Sequence, residues 1–266
     1  MADRRVWTAL LRAGLAGQTA YRASFALELL GAACAVGLDF IEVFAIFTRV
    51  PQLAGLSYLE VVLVFAIAST GFATADAVVG QTDAVIQHVR KGTFDVVLLR
   101  PLSVLGQLAA ADVQLRRLGR VVVSVLLLAV VLVRLDLDWT PGRVVMAVVA
   151  PLVATVVFAA LFVTAGAVSF WLVEATEVTS ALTYGSAYLA EWPTGVLTAV
   201  LARFFTFVIP AAFCGYLPAL TLLGRSDPGG LPGWLPWASP LVAVLAAGLS
   251  GLLWRSGIRH YVGAGG

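Results

Sequence analysis

The sequence predicts an all-α integral membrane protein. It has six transmembrane helices, an N-terminal amphipathic helix at the membrane interface and a short structured helix on the cytoplasmic side between spans two and three. Three observations carry this. Of 266 residues, 61% are hydrophobic and only 12% charged, where a soluble domain carries about 25% charge; mean hydropathy is +0.97. The apolar residues gather in runs near the ~20 residues that cross a hydrocarbon core. Lysine and arginine are shared unequally between the connections on the two sides. Together these exclude a soluble enzyme, a disordered regulator and a nucleic-acid module. Cys34 and Cys214 lie far apart in apolar runs, so neither a disulfide framework nor a zinc site is on offer.

Residues 3–22 come first, with Trp7, Leu10, Leu11 and Leu15 on one face and Arg5 and Arg12 on the other, the pattern of a helix lying on the inner membrane surface. The six apolar segments follow at roughly 24–48, 58–80, 118–135, 143–172, 195–223 and 235–254. The third is short unless the polar stretch before it joins the same helix. The fifth contains Pro210, which removes a backbone donor and is expected to kink or break it. With both termini inside, the inner connections hold thirteen basic residues, Arg203 among them, and the outer ones hold four: Arg49, Arg134, Arg143 and Arg225. That asymmetry sets the orientation. Trp237 and Trp254 bracket the last span at about the depth of a bilayer core.

The inner connection from Gln81 to Pro101 is far longer than a join requires. A short helix carrying Val85, Ile86 and Val89 is expected to stop at Gly92, and Thr93 offers a cap to a second turn that Pro101 ends. Phe94 and Leu98 are shown to the inside. This suits a knob that docks into another protein, the alternative being packing on lipid or on the chain's own helices. Residues 103–120 read as an amphipathic inner extension of the third span. Glu174 to Pro193 read as an acidic inner connection carrying Glu177, Glu191, Tyr184, Tyr188 and Trp192, and 224–233 as an outer turn.

Glu28, Asp39 and Glu42 lie in the first span, where an ionisable side chain costs several kcal/mol unless it is paired or faces water. Asp39, Glu42 and Arg49 share one helical stripe, so Arg49 is expected to help neutralise the acids. An ion-gradient carrier working through Asp39 and Glu42 is the alternative function. Phe65 and Phe72 in the second span, and Phe204, Phe205 and Phe207 before the Pro210 break, are the aromatic candidates for a substrate path. The single lysine, Lys91, is not preceded by a glycine, so the chain carries no phosphate-binding P-loop.

Three local patterns then resemble one family. They are Arg90-x-Gly92-x-x-Asp95-x-x-Leu98-x-Arg100-Pro101; Ile209-Pro210-x-x-Phe213-x-x-Tyr216-x-Pro218-Ala219, preceded by Trp192-Pro193; and Trp254-x-x-Gly257-x-x-x-Tyr261-x-x-x-Gly265. In this order the chain resembles, over essentially its whole length, the permease subunits of bacterial type-2 ABC exporters that pair two related six-span permeases with a separate ATPase. The resemblance implies a non-enzymatic subunit of the cytoplasmic membrane, a 23–266 transmembrane domain after the 1–22 helix, and export of a hydrophobic or amphipathic substrate. ATP and Mg would be bound by a cytosolic ATPase dimer rather than by this chain. A second six-span permease, either a related chain or a second copy, would complete the path. It further implies that Val85 to Leu99 is the coupling element, with Arg90, Lys91, Phe94 and Asp95 at the ATPase contact and Val85, Ile86, Val89, Gly92, Leu98, Leu99, Arg100 and Pro101 forming the rest of it.

Overall fold

The computed structural model describes residues 22–99, 103–111, 115–172 and 176–261. Apart from one isolated bridge between Leu53 and Leu56, the described secondary structure is helical. The amphipathic helix expected over residues 3–22 lies outside the described residues except for Arg22. The helices are α1 Arg22–Phe47, α2 Tyr58–Val79, α3 Val85–Arg90, α4 Phe94–Leu98, α5 Val104–Ala111, α6 Leu115–Arg134, α7 Pro141–Val168, α8 Thr176–Ser180, α9 Ser186–Ala190, α10 Ala199–Phe207, α11 Tyr216–Leu223 and α12 Ser239–His260. Among the described residues, three helical stretches are long and apolar enough to cross a membrane by length and composition: Tyr58–Arg90, Pro141–Val168 and Leu235–His260.

Local chemistry sets the ends. The Ser57 amide donates to Glu60 Oε2 at 2.7 Å, starting α2. Thr140 accepts from the Arg143 amide, with Pro141 in the first turn of α7. The third apolar segment reaches spanning length because its helix begins at Leu115, the polar lead-in having joined it.

The helices define two ends. At the distal end lie the connections 48–57, 135–140 and 224–238: Leu53, Leu56, Tyr58, Leu135 and Leu231 share one apolar cluster, and Trp237 lies against Gly142. At the proximal end α3, α4 and α5 pack under the last turns of α7 and α12. Between them, Phe158, Phe162, Val157 and Ala154 of α7 fill the middle layer against α2 and α9. α2 and α7 meet closely at Gly71, where a β-carbon would overlap Ala154 and lie 2.9 Å from its carbonyl carbon. Gly71→Val should therefore strain the α2–α7 seam by about 1–3 kcal/mol, the usual cost of overpacking. Gly248→Ala, on α12 with open space around it, should be neutral or slightly stabilising. Melting of the purified chain in detergent, followed by size-exclusion chromatography, checks the pair.

The fifth apolar segment is not one span. It breaks into a 3-10 turn at Thr194–Val196, α10, a second 3-10 turn at Ala211–Cys214 and α11. The break falls where Pro210 withholds its amide. Both ends of the segment meet the same distal loop. A β-carbon on Gly195 would sit 2.9 Å from Ala54 Cβ. Past the other end, Arg225 donates to the Gly55 carbonyl at 2.7 Å and pairs with Glu60 at 2.8 Å. Past the break, a β-carbon on Gly215 would lie 2.9 Å from the Val64 carbonyl, only about 9 Å along α2 from Tyr58. The segment dips into the bundle and returns.

The stretch read as an inner connection does the climbing instead. α8, a π-helical turn at Ala181–Gly185 and α9 follow one another without a break. Tyr184 packs on Phe72 and Phe162, the Ser69 hydroxyl donates to Glu191 at 2.8 Å, and Gly195 reaches Ala54. Arg203 accordingly belongs to the distal end, across a cleft from Asp227 and Pro228. Sequence reading missed this because Thr176–Ala190 carry Glu177, two tyrosines and two serines rather than an unbroken apolar run.

Candidate functional site

The proximal end is built by the 80–99 segment, and its local sequence fixes its shape. After α2 the chain makes a 3-10 turn over Gly80–Ala84, where Thr82 Oγ1 donates to the Val79 and Phe162 carbonyls at 2.9 and 3.0 Å. α3 then ends at Gly92, which takes φ +64°, a left-handed conformation that an L side chain resists. The Thr93 amide donates back to the His88 carbonyl at 2.9 Å, and its hydroxyl sits 3.0 Å from His88 Nδ1. α4 follows. The two-helix form and the Gly92 stop are as the sequence implies; Thr93 caps backwards onto α3 rather than forwards onto α4. Arg100 and Pro101 lie outside the described residues.

Phe94 departs from expectation. It is fully buried, with ring centroids 4.9 Å from Tyr261 and 5.1 Å from Phe170. Val85 and Ile86 are buried as well, and Val89 is half-buried. None of these side chains stands out towards a partner. The segment is a plug inserted into the chain's own bundle, and its outward surface consists of Gln87, Arg90, Lys91, Val96, Leu98 and Leu99, with Leu99 84% exposed.

The plug brings together two sequence patterns that lie more than 150 residues apart. Trp254, Gly257 and Tyr261 recur at helical spacing near the end of α12, and Trp254 and Tyr261 share one apolar cluster with the plug and α5. Burial raises the Tyr261 pKa above its usual value, and the nearby Asp95 charge adds to the rise. Phe170 stacks edge-on between Phe94 and Trp254. Trp254 is thereby buried and does not act as an exposed interfacial anchor, whereas Trp237 at the distal end is 47% exposed. On the α5 side, the Gln107 amide donates to the Val97 carbonyl at 3.0 Å.

The remaining candidates scatter. Phe65 is buried in α2; Phe72 packs edge-to-face on Phe158 and stacks on Phe162. These two are core. Phe204 and Phe207 are exposed on α10, Phe205 is half-buried against Phe204, and Pro210 is half-buried at the break. α10 also lines the distal cleft of about 350 Å3, with Thr194, Arg203, Thr206, Phe207 and Asp227 in its wall. Glu42 accepts a hydrogen bond from the Tyr188 hydroxyl at 2.7 Å, so its described partner is a tyrosine of α9 and not Arg49. The side chains of Glu28 and Asp39 lie outside those described.

Two polar links were not foreseen. Arg117 of α6 pairs with buried Asp76 at 3.1 Å and also donates to the Asp76 carbonyl at 2.6 Å. Tyr216 of the second pattern is fully buried and donates to Asp227 at 2.8 Å. The signal for the first was present: an aspartate near the end of an apolar helix demands a cation, and Arg116, Arg117 and Arg120 begin the next long one. Among the described residues no group of three or more His, Cys, Asp or Glu side chains could hold a metal ion.

Residues 33–265 match the family model described as ABC-2 family transporter protein. No curated protein and no solved structure matches the chain.

Proposed function

The chain belongs to the ABC-2 transporter family as a multi-pass membrane protein, and on that premise we propose that it is the permease half of an ATP-driven exporter of a hydrophobic or amphipathic substrate. The family implies an ATPase partner in general. We assign ATP and Mg to that partner, a cytosolic dimer, and no enzymatic step to this chain. Six crossings are then made by α1, α2, α6, α7, the α8–α9 stretch and α12, with 194–223 re-entering from the distal side. The proximal end faces the cytoplasm, as do both termini: moving Arg203 across turns thirteen basic residues against four into twelve against five, and the bias stands. A second six-span permease completes the path, as in the exporters the sequence resembles.

The observation that carries this reading is the plug itself. A connection that only joined α2 to α6 would have no use for two packed helices; this one presents two cations, Arg90 and Lys91, and three exposed apolar residues, Val96, Leu98 and Leu99. Recovery of the tagged chain from its native membrane in mild detergent should bring down a P-loop ATPase together with a second six-span protein. Val96→Asp with Leu99→Asp, both at exposed positions, should leave insertion intact and remove the ATPase from the preparation at least ten-fold, since an interface residue of this kind is worth about 1.4 kcal/mol or more. Recovery of the chain alone, or undiminished recovery of the ATPase with the double variant, overturns the docking assignment.

A further inference from the structure

We propose that the distal cleft binds the headgroup of an ethanolamine phospholipid, its phosphate held by Arg203 and Thr194 and its ammonium by Asp227. The proposal needs only the membrane residence that the family gives, and not the ATPase assignment. The cleft lies where α10 faces the 224–233 turn. Its volume of about 350 Å3 falls within the roughly 300–1,000 Å3 of small-molecule sites.

One wall is a face of α10, since Ala199, Ala202, Arg203, Thr206 and Phe207 recur there at helical spacing. Arg203 is exposed on that wall and makes no hydrogen bond or ion pair among the described residues. Its planar fork of donors suits a phosphate. Thr194, on the turn before α10, also lines the cleft and is only 6% exposed. Its hydroxyl has no hydrogen-bond partner among the described residues and is not sealed inside the protein, so it is open to the cleft. A nearly buried hydroxyl without a partner is a donor waiting for an acceptor.

Asp227 supplies the opposite charge. Its oxygens accept from the Tyr216 hydroxyl at 2.8 Å and the Leu231 amide at 3.2 Å. Both donors are neutral, so they fix the carboxylate without cancelling its charge. A β-carbon on Gly229 would lie 2.8 Å from Asp227 Oδ2, and the glycine keeps that oxygen approachable. Arg203 and Asp227 thus share one cleft without pairing with each other, which is complementary to a ligand that carries both signs. A primary ammonium can donate to the lone pairs that Tyr216 and Leu231 leave free; the trimethylammonium of choline cannot.

Two features make the ligand a lipid. Trp139, Trp234 and Trp237 stand exposed on the distal connections, and exposed tryptophans gather at headgroup depth. The cleft wall at Phe207 also runs on into exposed Val200, Phe204 and Val208 of α10, an apolar track for acyl chains.

Photo-labelling tests the site. The full chain is purified from its native membrane in mild detergent with the subunits that accompany it. The probe is phosphatidylethanolamine with a diazirine in one acyl chain, and labelled peptides are quantified by mass spectrometry. Labelling should fall on α10 and the 224–233 turn. Unlabelled phosphatidylethanolamine should compete at least ten-fold better than phosphatidylcholine, phosphatidylglycerol, diacylglycerol or free phosphoethanolamine. Arg203→Gln should weaken binding about ten-fold, the scale of one charged hydrogen bond; it has no partner to lose and should elute as the parent does. Thr194→Val should weaken binding several-fold. Asp227→Asn keeps an acceptor for Tyr216 and should abolish the preference for ethanolamine over glycerol headgroups. Arg134→Gln, at an exposed arginine of the distal end of α6, should change nothing. Equal competition by diacylglycerol means apolar adsorption, and equal competition by free phosphoethanolamine means a soluble ligand. An equal loss in Arg134→Gln means general interfacial charge, and a preference that survives Asp227→Asn removes the ammonium contact. Each of these four results overturns the proposal.

Discussion

Phe94→Asp is expected to abolish accumulation of the folded chain rather than merely uncouple it. The ring is fully buried and lies within 5.1 Å, centroid to centroid, of both Phe170 and Tyr261. Removing such a side chain costs about 3–5 kcal/mol in a close-packed site. The new carboxylate would sit one residue from Asp95, whose own charge it would oppose, within a cluster of apolar side chains. The sum exceeds a large fraction of a membrane domain's net stability, which is on the order of 5–15 kcal/mol. Phe94→Leu should fold with a lowered melting temperature. Fluorescence-detected size-exclusion chromatography after graded heating reads both. A Phe94→Asp chain that elutes as a sharp peak and melts within a few degrees of the parent would show that the plug is not held as described. The contrast with Val96→Asp and Leu99→Asp matters, since three substitutions of the same chemistry within six residues should separate cleanly into one folding defect and a docking defect.

How much of this was legible beforehand divides along physical lines. Membrane residence, α1, α2, α6, α7 and α12, and the two-helix plug stopped at Gly92 follow from apolar run length and turn chemistry, which are local properties. The fifth apolar run was read as a single helix because hydropathy measures a segment's own solvent preference, whereas the structure breaks it into short helices and turns. Residues 195–223 are apolar yet break at Pro210 and return to the loop they left, while Thr176–Ala190 are polar enough to read as a connection. Part of that polarity is met by hydrogen bonds: Thr183 donates to the Thr179 carbonyl, Tyr188, half exposed, to Glu42 of α1, and Ser69 of α2 to Glu191 just beyond the stretch. None of those partners is local except the first. Phe94 failed for the same reason. Its sequence neighbours make it look like an exposed knob, and only the arrival of Trp254, Gly257 and Tyr261 from the far end of the chain buries it. Those three were visible as a pattern; their periodicity marked a common face without saying what the face met.

Loss of one partner from the Asp76–Arg117 pair is expected to be the other large effect. The two side chains are 5% and 13% exposed, the charged atoms 3.1 Å apart, and Arg117 also satisfies the Asp76 carbonyl. Arg120 stands 3.9 Å from the second carboxylate oxygen and is more exposed. The pair ties the end of α2 to the start of α6 immediately above the plug, and Gly80 leaves the room for it, since a β-carbon there would overlap both the Arg117 and Asp76 side chains. Arg117→Met removes the nearer guanidinium and leaves Arg120 at 3.9 Å from the buried carboxylate, so the cost should approach the roughly 3–5 kcal/mol of breaking a buried pair. Asp76→Leu should be comparably damaging, because it strands the guanidinium at the edge of an apolar core. The combination of Asp76→Leu with Arg117→Met removes both charges while keeping similar volume, and buried pairs replaced in this way are often neutral. The double variant should therefore melt above either single one, closer to the parent. That ordering separates a structural clamp from a functional charge: recovery of stability without recovery of nucleotide-driven movement in the double variant would assign Asp76 and Arg117 a part in the transport cycle, whereas recovery of both makes the pair a clamp. Double-variant stability no better than the singles would mean that the 2.6 Å bond from Arg117 to the α2 backbone, and not the ion pair, holds the two helices together.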